Sequence, residues 1–180
     1  GQAVRWVPMN ELVNYPFPAA NLPILRAVML PTEYLITGEE PDDERFASLL
    51  ERALREDSIR LVQLRAKSLD DTAYVARAER ALKLCREYGA KLLLNGEPTL
   101  LDQVDADGIH LTSARLMQLD RRPIAENKWL SASTHDQKQL SQAAVLGCDF
   151  VTLSPLRTTP SHPEVAPMGW HDFQQLVERA

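Results

Sequence analysis

Cysteine is nearly absent from this chain: there are two, Cys85 and Cys148, far apart and each inside an apolar, periodic segment. That placement argues against a disulfide framework or a cysteine-rich metal site and makes a reducing cytoplasm the default compartment. A basic excess is also lacking, because 20 Lys plus Arg face 25 Asp plus Glu, giving a formal net charge of −5 and a pI near 5.4. Binders of nucleic-acid polymers and of anionic membranes carry the opposite sign. No run approaches the roughly 20 apolar residues that cross a bilayer, and Gly1 to Asn10 show no charged-then-apolar secretory pattern. Glycine is sparse, seven residues in all, and none forms the Gly-rich phosphate loop of Rossmann or P-loop proteins. What is present, 44% hydrophobic and 25% charged residues, suits a soluble globular chain with a core for one domain, or one and a piece. The chain starts at Gly1 without a Met and runs straight into strand-like Val4-Arg5-Trp6-Val7, so it reads as a cut from something longer.

Prolines at 8, 16, 18, 23 and 31 break the first 31 residues into a short strand, a loop and an apolar helix near Ile24 to Val28. From there the texture becomes regular. Tyr34 to Thr37 is a short strand, and Asp42-Asp43 opens a helix with Phe46, Leu49, Leu50, Ala53 and Leu54 at helical spacing. Ile59 to Leu64 and the helix from Asp70-Asp71 to Gly89 repeat the unit. Strands follow at Lys91 to Leu94, Asp107 to Leu111, Trp129 to Ala132 and Asp149 to Leu153, each with a helix or short helix after it, the last around Trp170, Phe173, Leu176 and Val177. Ala106-Asp107-Gly108-Ile109-His110-Leu111 and Cys148-Asp149-Phe150-Val151-Thr152-Leu153 echo one another in a small residue, an Asp, then a strand. About six strand-helix units at this spacing predict an α/β fold, an incomplete (β/α)8 TIM-type barrel lacking roughly the last two units. An open doubly wound sheet has the same periodicity.

In such folds chemistry gathers where strands end. The second strand delivers Gln63, Arg65 and Lys67, with alternation sending Gln63 and Arg65 to one side; the cations suit a phosphate or diphosphate, and equally a solvated pair. The third delivers Asn95-Gly96-Glu97, to orient a polar ring or make a turn. The fourth delivers His110 and Ser113, and a lone strand His is more often structural. At the fifth, Ser131, Ser133, Thr134 and His135 converge at a helix start, where hydroxyls and free N–H groups hold an anion and His135 can move a proton; simple N-capping by Ser133 or Thr134 is the plain alternative. The sixth leads into Ser154-Pro155 through Thr159-Pro160-Ser161-His162, a loop long enough to close over a ligand. Together these positions describe a site for a phosphorylated small molecule.

The strings Val62-Gln63-Leu64-Arg65-Ala66-Lys67, Leu94-Asn95, Ala106 to Leu111, Ser133-Thr134-His135 and Ser154-Pro155 through His162 resemble the thiamine phosphate synthase and TenI-like superfamily over most of residues 33 to 180. The resemblance implies a (β/α)8 barrel and a synthase that joins a hydroxymethylpyrimidine diphosphate to a thiazole phosphate through a pyrimidine carbocation, releasing diphosphate with Mg²⁺. It also implies that Gln63, Arg65 and Lys67 face the pyrimidine and its diphosphate, Asn95 the pyrimidine, and Ser133, Thr159 and Ser161 the phosphates. His110, from its strand-end place, and His162, which stands where the family's sixth loop normally ends in a basic residue, are counted in the same binding set. The departures are informative. The family's Asn-Asp-Arg is here Asn95-Gly96-Glu97, and the Asp expected after His110-Leu111 is replaced by Ala114-Arg115, so both Mg²⁺ carboxylates are missing unless Glu97 substitutes for one. The TenI-like branch, a metal-free thiazole tautomerase with a catalytic His at the position of His135, stays open, as does a barrel that binds without catalysing. The Gly-rich backbone that the family uses after its last two strands is not in this chain.

Residues 1 to 31 resemble, over a shorter stretch, the C-terminal end of a MutT-type Nudix hydrolase, through Gly1 to Val7 and Phe17-Pro18-Ala19-Ala20-Asn21. By that resemblance Asn21 reads an oxidised guanine, and the Glu-rich Nudix box lies outside this chain; a proline-rich linker is the alternative. The division expected is a Nudix remnant at 1–31 and a barrel at 32–180 truncated before its last two units. The function expected is a thiamine-biosynthesis barrel that binds phosphorylated thiazole or pyrimidine ligands within a Nudix fusion, weak or inactive as this fragment, its open edges favouring aggregation or a homo-oligomer. The alternative is a parent acting as an 8-oxo-dGTP diphosphatase with a non-catalytic barrel. No resident cofactor or metal is expected for the fragment, Mg²⁺ being left as an option for the longer parent, and the compartment is cytoplasmic.

Overall fold

The structure, a computed structural model, describes residues 4–158 and 166–179, which divide into two compact units, Gly1–Thr32 and Glu33–Ala180. In the first unit, 3-10 turns at Met9–Asn14 and Ala19–Asn21 lead into helix α1, Leu22–Met29, with Pro23 in its first turn. The strand expected at Val4 to Val7 does not form. Val4 and Trp6 are 89% and 96% exposed, and without a neighbouring strand the backbone has no ladder to join. Asn21 sits at the N-cap of α1 and makes no side-chain capping bond.

The second unit carries six strands, β1 Leu35–Ile36, β2 Leu61–Leu64, β3 Lys91–Asn95, β4 Gly108–Leu111, β5 Trp129–Thr134 and β6 Phe150–Leu153, all parallel and paired in chain order. Between and after them run α2 Asp43–Arg55, α3 Asp71–Glu87, a 3-10 turn Pro98–Asp102, the four-residue α4 Ser113–Leu116, α5 Gln137–Val145 and α6 Gly169–Arg179. Asp42, Asp70, Thr112 and Asp136 cap the N-termini of α2 to α5, each accepting the N–H three residues on. After α3 and α5 the chain turns at Gly89 and Gly147, with φ of +65° and +64°. Among the described residues no helix is long and apolar enough to cross a membrane.

Strand alternation gives the sheet two different faces. Outward, Val62, Leu64, Leu92, Leu94, Ile109, Leu111, Leu130 and Ala132 pack against Phe46, Leu50 and Leu54 of α2, Ala78, Leu82 and Cys85 of α3, and Leu116 and Ala143. Inward lie Leu61, Gln63, Leu93, Asn95, His110, Ser131 and Ser133. Tyr34, just before β1, packs edge-on against Phe150 at the start of β6, ring centroids 5.1 Å apart. In a flat sheet with strands about 4.8 Å apart, the first and sixth strands would lie roughly 24 Å apart. The sheet is therefore curled into most of a barrel, which excludes the open doubly wound alternative. Among the described residues β1 pairs only with β2 and β6 only with β5, so the barrel has two open edges.

The sequence echo has a structural cause. Asp107 and Asp149, one residue ahead of β4 and β6, each reach sideways to the preceding strand: Leu92 N–H donates to Asp107 Oδ2 at 2.9 Å and Leu130 N–H to Asp149 Oδ2 at 2.7 Å. Lys91 Nζ and Arg122 Nη2 complete the two carboxylates. Gly108 follows the first of these staples, and a Cβ there would stand 1.9 Å from the carbonyl oxygen of Trp129 on β5. Gly108→Ala is expected to lower the unfolding free energy by about 2 kcal/mol or more through forced separation of β4 and β5, measured by urea titration. The same exchange at Gly38, where a Cβ meets nothing within 4 Å, should cost under about 1 kcal/mol.

Candidate functional site

The C-terminal ends of β1 to β6 open into one cleft of about 640 Å³, within the size range of small-molecule sites. Its walls include Gln63, Arg65 and Lys67 from β2 and its exit, Asn95 from β3, His110 from β4, and Ser133 and His135 from β5 and its exit. With Ser113 and Ser154, nine of the residues singled out in the sequence thus share one cavity. Thr159, Ser161 and His162 lie outside the described residues.

The floor of the cleft is a connected chain of side chains. Asn95 Nδ2 donates to Gln63 Oε1 at 3.2 Å, and Gln63 Nε2 donates to Tyr34 Oη at 3.0 Å. Tyr34 Oη lies 3.2 Å from His110 Nδ1, which also meets Ser131 Oγ at 2.8 Å, and His110 Nε2 meets Ser133 Oγ at 2.9 Å. The parallel register makes this possible: Asn95 pairs with His110 and His110 with Ser131, so inward residues stand side by side. Gln63 and His110 are 2% and 1% exposed, and partners of this kind are what makes burial of polar groups tolerable. Burial holds His110 down to about 4 and pushes Tyr34 up to about 12, so at neutral pH both are uncharged. Tyr34 is the member that the sequence reading missed. Its only local signal is a place one residue before a short apolar strand, on the inward side.

Arg65 is held from behind. Its backbone N–H donates to Thr37 Oγ1, and its guanidinium lies 3.5 Å from Glu39, which also accepts the N–H of Lys67 and the N–H and hydroxyl of Ser68. Burial pulls the Glu39 carboxyl upward, but these hydrogen bonds and the Arg65 charge outweigh it and leave its pKa below the usual carboxylate value. Glu39 therefore stays ionised and shapes the loop that presents the two cations.

At β5, His135 Nδ1 contacts the carbonyl oxygen of Ser154, an atom that only accepts. The proton must sit on Nδ1, which leaves Nε2 as the basic nitrogen. The cap of α5 is Asp136, whose carboxylate takes the Gln139 N–H, while the His135 N–H donates to Gln139 Oε1. Thr134 turns outward to the carbonyl of Thr152 and Ser133 belongs to the His110 chain, so neither caps the helix.

A Mg²⁺ ion finds no home in this donor set. Hard divalent cations take carboxylates and other oxygens, yet the cleft lining among the described residues includes no Asp or Glu. Glu97, the one candidate substitute, is ion-paired with Arg115. Among the described residues no group of three or more His, Cys, Asp or Glu could hold a metal.

A curled parallel sheet with its polar cleft at the strand exits defines a (β/α)-barrel protein built to hold a small polar ligand. Residues 33–180 match the family model of thiamine monophosphate synthase, and the chain belongs to this thiamine-phosphate synthase and TenI family. It is 33% identical over 150 residues to a protein of Aquifex aeolicus named "Putative thiamine-phosphate synthase 2", covering 83% of this chain and 80% of that one. It is 32% identical over 147 residues to a thiamine-phosphate synthase of Thermosynechococcus vestitus, covering 81% of this chain and 40% of that longer protein. Among solved structures, a thiamine phosphate pyrophosphorylase from Pyrococcus furiosus superposes with a TM-score of 0.59 at 21% identity, over 82% of this chain and 69% of that one, which shows the shared fold. The family match leaves residues 1–32 outside it, and nothing in these comparisons supports a Nudix remnant there, a Nudix partner domain or an 8-oxo-dGTP diphosphatase.

The depressed His110 value sets a pH dependence. Its unfolded value of about 6.5 lies above its folded value of about 4, so the unfolded state binds the proton first and stability falls as pH drops from 6.5 towards 4. Between pH 7 and pH 5 the unfolding free energy is expected to lose roughly 2 kcal/mol from this group. Urea midpoints should show that loss in the wild type and a flatter profile in His110→Gln.

Proposed function

We propose that the barrel unit, residues 32–180, binds a phosphorylated heteroaromatic substrate of thiamine biosynthesis across the strand-exit cleft and works in the synthase reaction class. The observation that carries this reading is the amide pair Asn95 and Gln63, coupled at 3.2 Å, beside Arg65 and Lys67 on the same cleft wall. Two primary amides offer both donors and acceptors, the complement of an aminopyrimidine edge. Arg65 follows Gln63 by two residues on the same strand line, so a ring seated on the amides would send its diphosphate towards Arg65 and Lys67. Ser133, and by resemblance Thr159, Ser161 and His162, would complete the phosphate contacts.

In that reaction the bond between the pyrimidine methylene carbon and a diphosphate oxygen breaks, the electron pair leaves with the diphosphate, and the thiazole nitrogen closes on the carbocation. The protein's part is to hold the two rings in line and to stabilise charge on the departing diphosphate. A second reading, thiazole tautomerisation, is favoured by His135, whose Nδ1 is tied to Ser154 so that Nε2 can accept and return a proton.

Calorimetric titration separates these roles. Gln63→Ala is expected to weaken the pyrimidine diphosphate about tenfold while inorganic pyrophosphate binds as in the wild type; equal loss on both ligands would remove Gln63 from ring recognition. His135→Ala is expected to cut thiazole tautomerisation by roughly 10²- to 10⁴-fold while thiazole phosphate still binds. Binding lost together with turnover would assign His135 a structural part.

A further inference from the structure

Two cations, Arg65 and Lys67, line the cleft after β2, and a third, Arg115, lies in α4 just after β4. Among the described residues, three carboxylates at the strand exits are already committed. Glu39 holds the backbone of Lys67 and Ser68 and the Arg65 guanidinium, Asp136 caps α5, and Glu97 pairs with Arg115. Glu97 lies two residues beyond Asn95 and Arg115 two residues beyond Ser113, both of which line the cavity, so the Glu97–Arg115 pair bridges the β3 and β4 exits at the rim. The backbone at Arg115 is anchored by its N–H to Thr112 Oγ1 at 3.3 Å, and its side chain keeps 26% exposure. Its one ionic partner among the described residues is the more exposed carboxylate of Glu97, so the guanidinium can pivot without unfolding anything.

We propose that this cleft recognises a diphosphate through fixed cations alone, with Arg115 supplying the positive charge that a divalent metal would otherwise bring, and with Glu97 holding Arg115 at the rim until the anion arrives. This rests on the reading of the cleft as a site for phosphorylated ligands. A guanidinium offers two parallel N–H donors to phosphate oxygens and needs no carboxylate cage. The charge balance points the same way. A lining that, among the described residues, carries Arg65 and Lys67 and no carboxylate attracts an anion strongly and a bare divalent cation poorly. The two carboxylates that the family resemblance would lead one to expect, and the arginine that stands in their place, then belong to one change in chemistry, from a bound ion to a bound side chain.

The test is calorimetric titration of this chain with inorganic pyrophosphate, once in EDTA and once in millimolar Mg²⁺, for the wild type, Arg115→Gln and Glu97→Gln, with far-UV circular dichroism and urea midpoints confirming that each variant is folded. Expected are saturable binding in EDTA that Mg²⁺ tightens by less than about threefold, a loss of about tenfold in Arg115→Gln, and a gain of several-fold in Glu97→Gln as Arg115 is freed. A metal ligand at Glu97 would give the opposite sign, weaker binding in Glu97→Gln. Pyrophosphate binding that requires Mg²⁺, or that ignores Arg115→Gln, overturns the proposal and leaves the phosphate-cleft reading standing. No pyrophosphate binding in either buffer overturns both.

Discussion

Buried polar side chains must find partners, and on the inner face of this barrel the described ones find them in one another. From Asn95 through Gln63, Tyr34 and His110 to Ser131 and Ser133, a single hydrogen-bonded chain joins β3, β2, the residue before β1, β4 and β5. Each link depends on the parallel register that sets inward residues side by side, and on the curl that brings Tyr34 to Phe150. A slip of one residue would turn Gln63 and His110 outward into the apolar layer, where each unpaired group would cost a few kcal/mol. The chain therefore specifies the register and, at its upper end, becomes the floor of the cleft.

The two faces of the sheet divide stability from chemistry. The outer face is a continuous apolar layer under the helices, built from residues such as Val62, Leu92, Ile109 and Leu130, and it supplies the burial that holds the unit together. Polar devices on that side are structural: the Asp107 and Asp149 staples at the strand starts and the Asp and Thr caps at the helix starts. Strand exits face the other way, towards water, and there Arg65, Lys67 and His135 are presented by loops whose shape Glu39, Thr37 and Ser154 maintain. The staples work at one end of the sheet and the loops at the other, so loops can vary without disturbing the strand starts.

Electrostatics at the rim follow from how the carboxylates are used. Glu39, Glu97 and Asp136 each serve a neighbour, an arginine or a backbone N–H, so none faces the cavity. The cleft is left with cations, amides, hydroxyls and two imidazoles, of which His110 is held neutral by burial. Such a surface is suited to the phosphate end and the polar ring edge of a ligand, and unsuited to a hard metal ion.

Much of this was legible in order along the chain. Apolar periodicity switching between two and 3.6 residues, with Asp at helix starts and Gly at two of the ends, located the strands and helices because those signals are local. Residue alternation also assigned Gln63 and Arg65 to one side, and the repeated small-Asp-strand pattern marked the two staples. The strand expected at Val4 to Val7 failed for want of a partner, which no local pattern reports. At the helix start after β5, Ser133 and Thr134 offered themselves as N-caps, yet Asp136 took the cap and Ser133 joined the interior, a competition decided by what lay across the sheet. The sequence by itself determined the units, their parallel sense and the residue types at each strand exit. Only the tertiary structure decided that Tyr34 closes the polar chain and that Glu97 meets Arg115, because both contacts join residues brought together by the curl and register of the sheet.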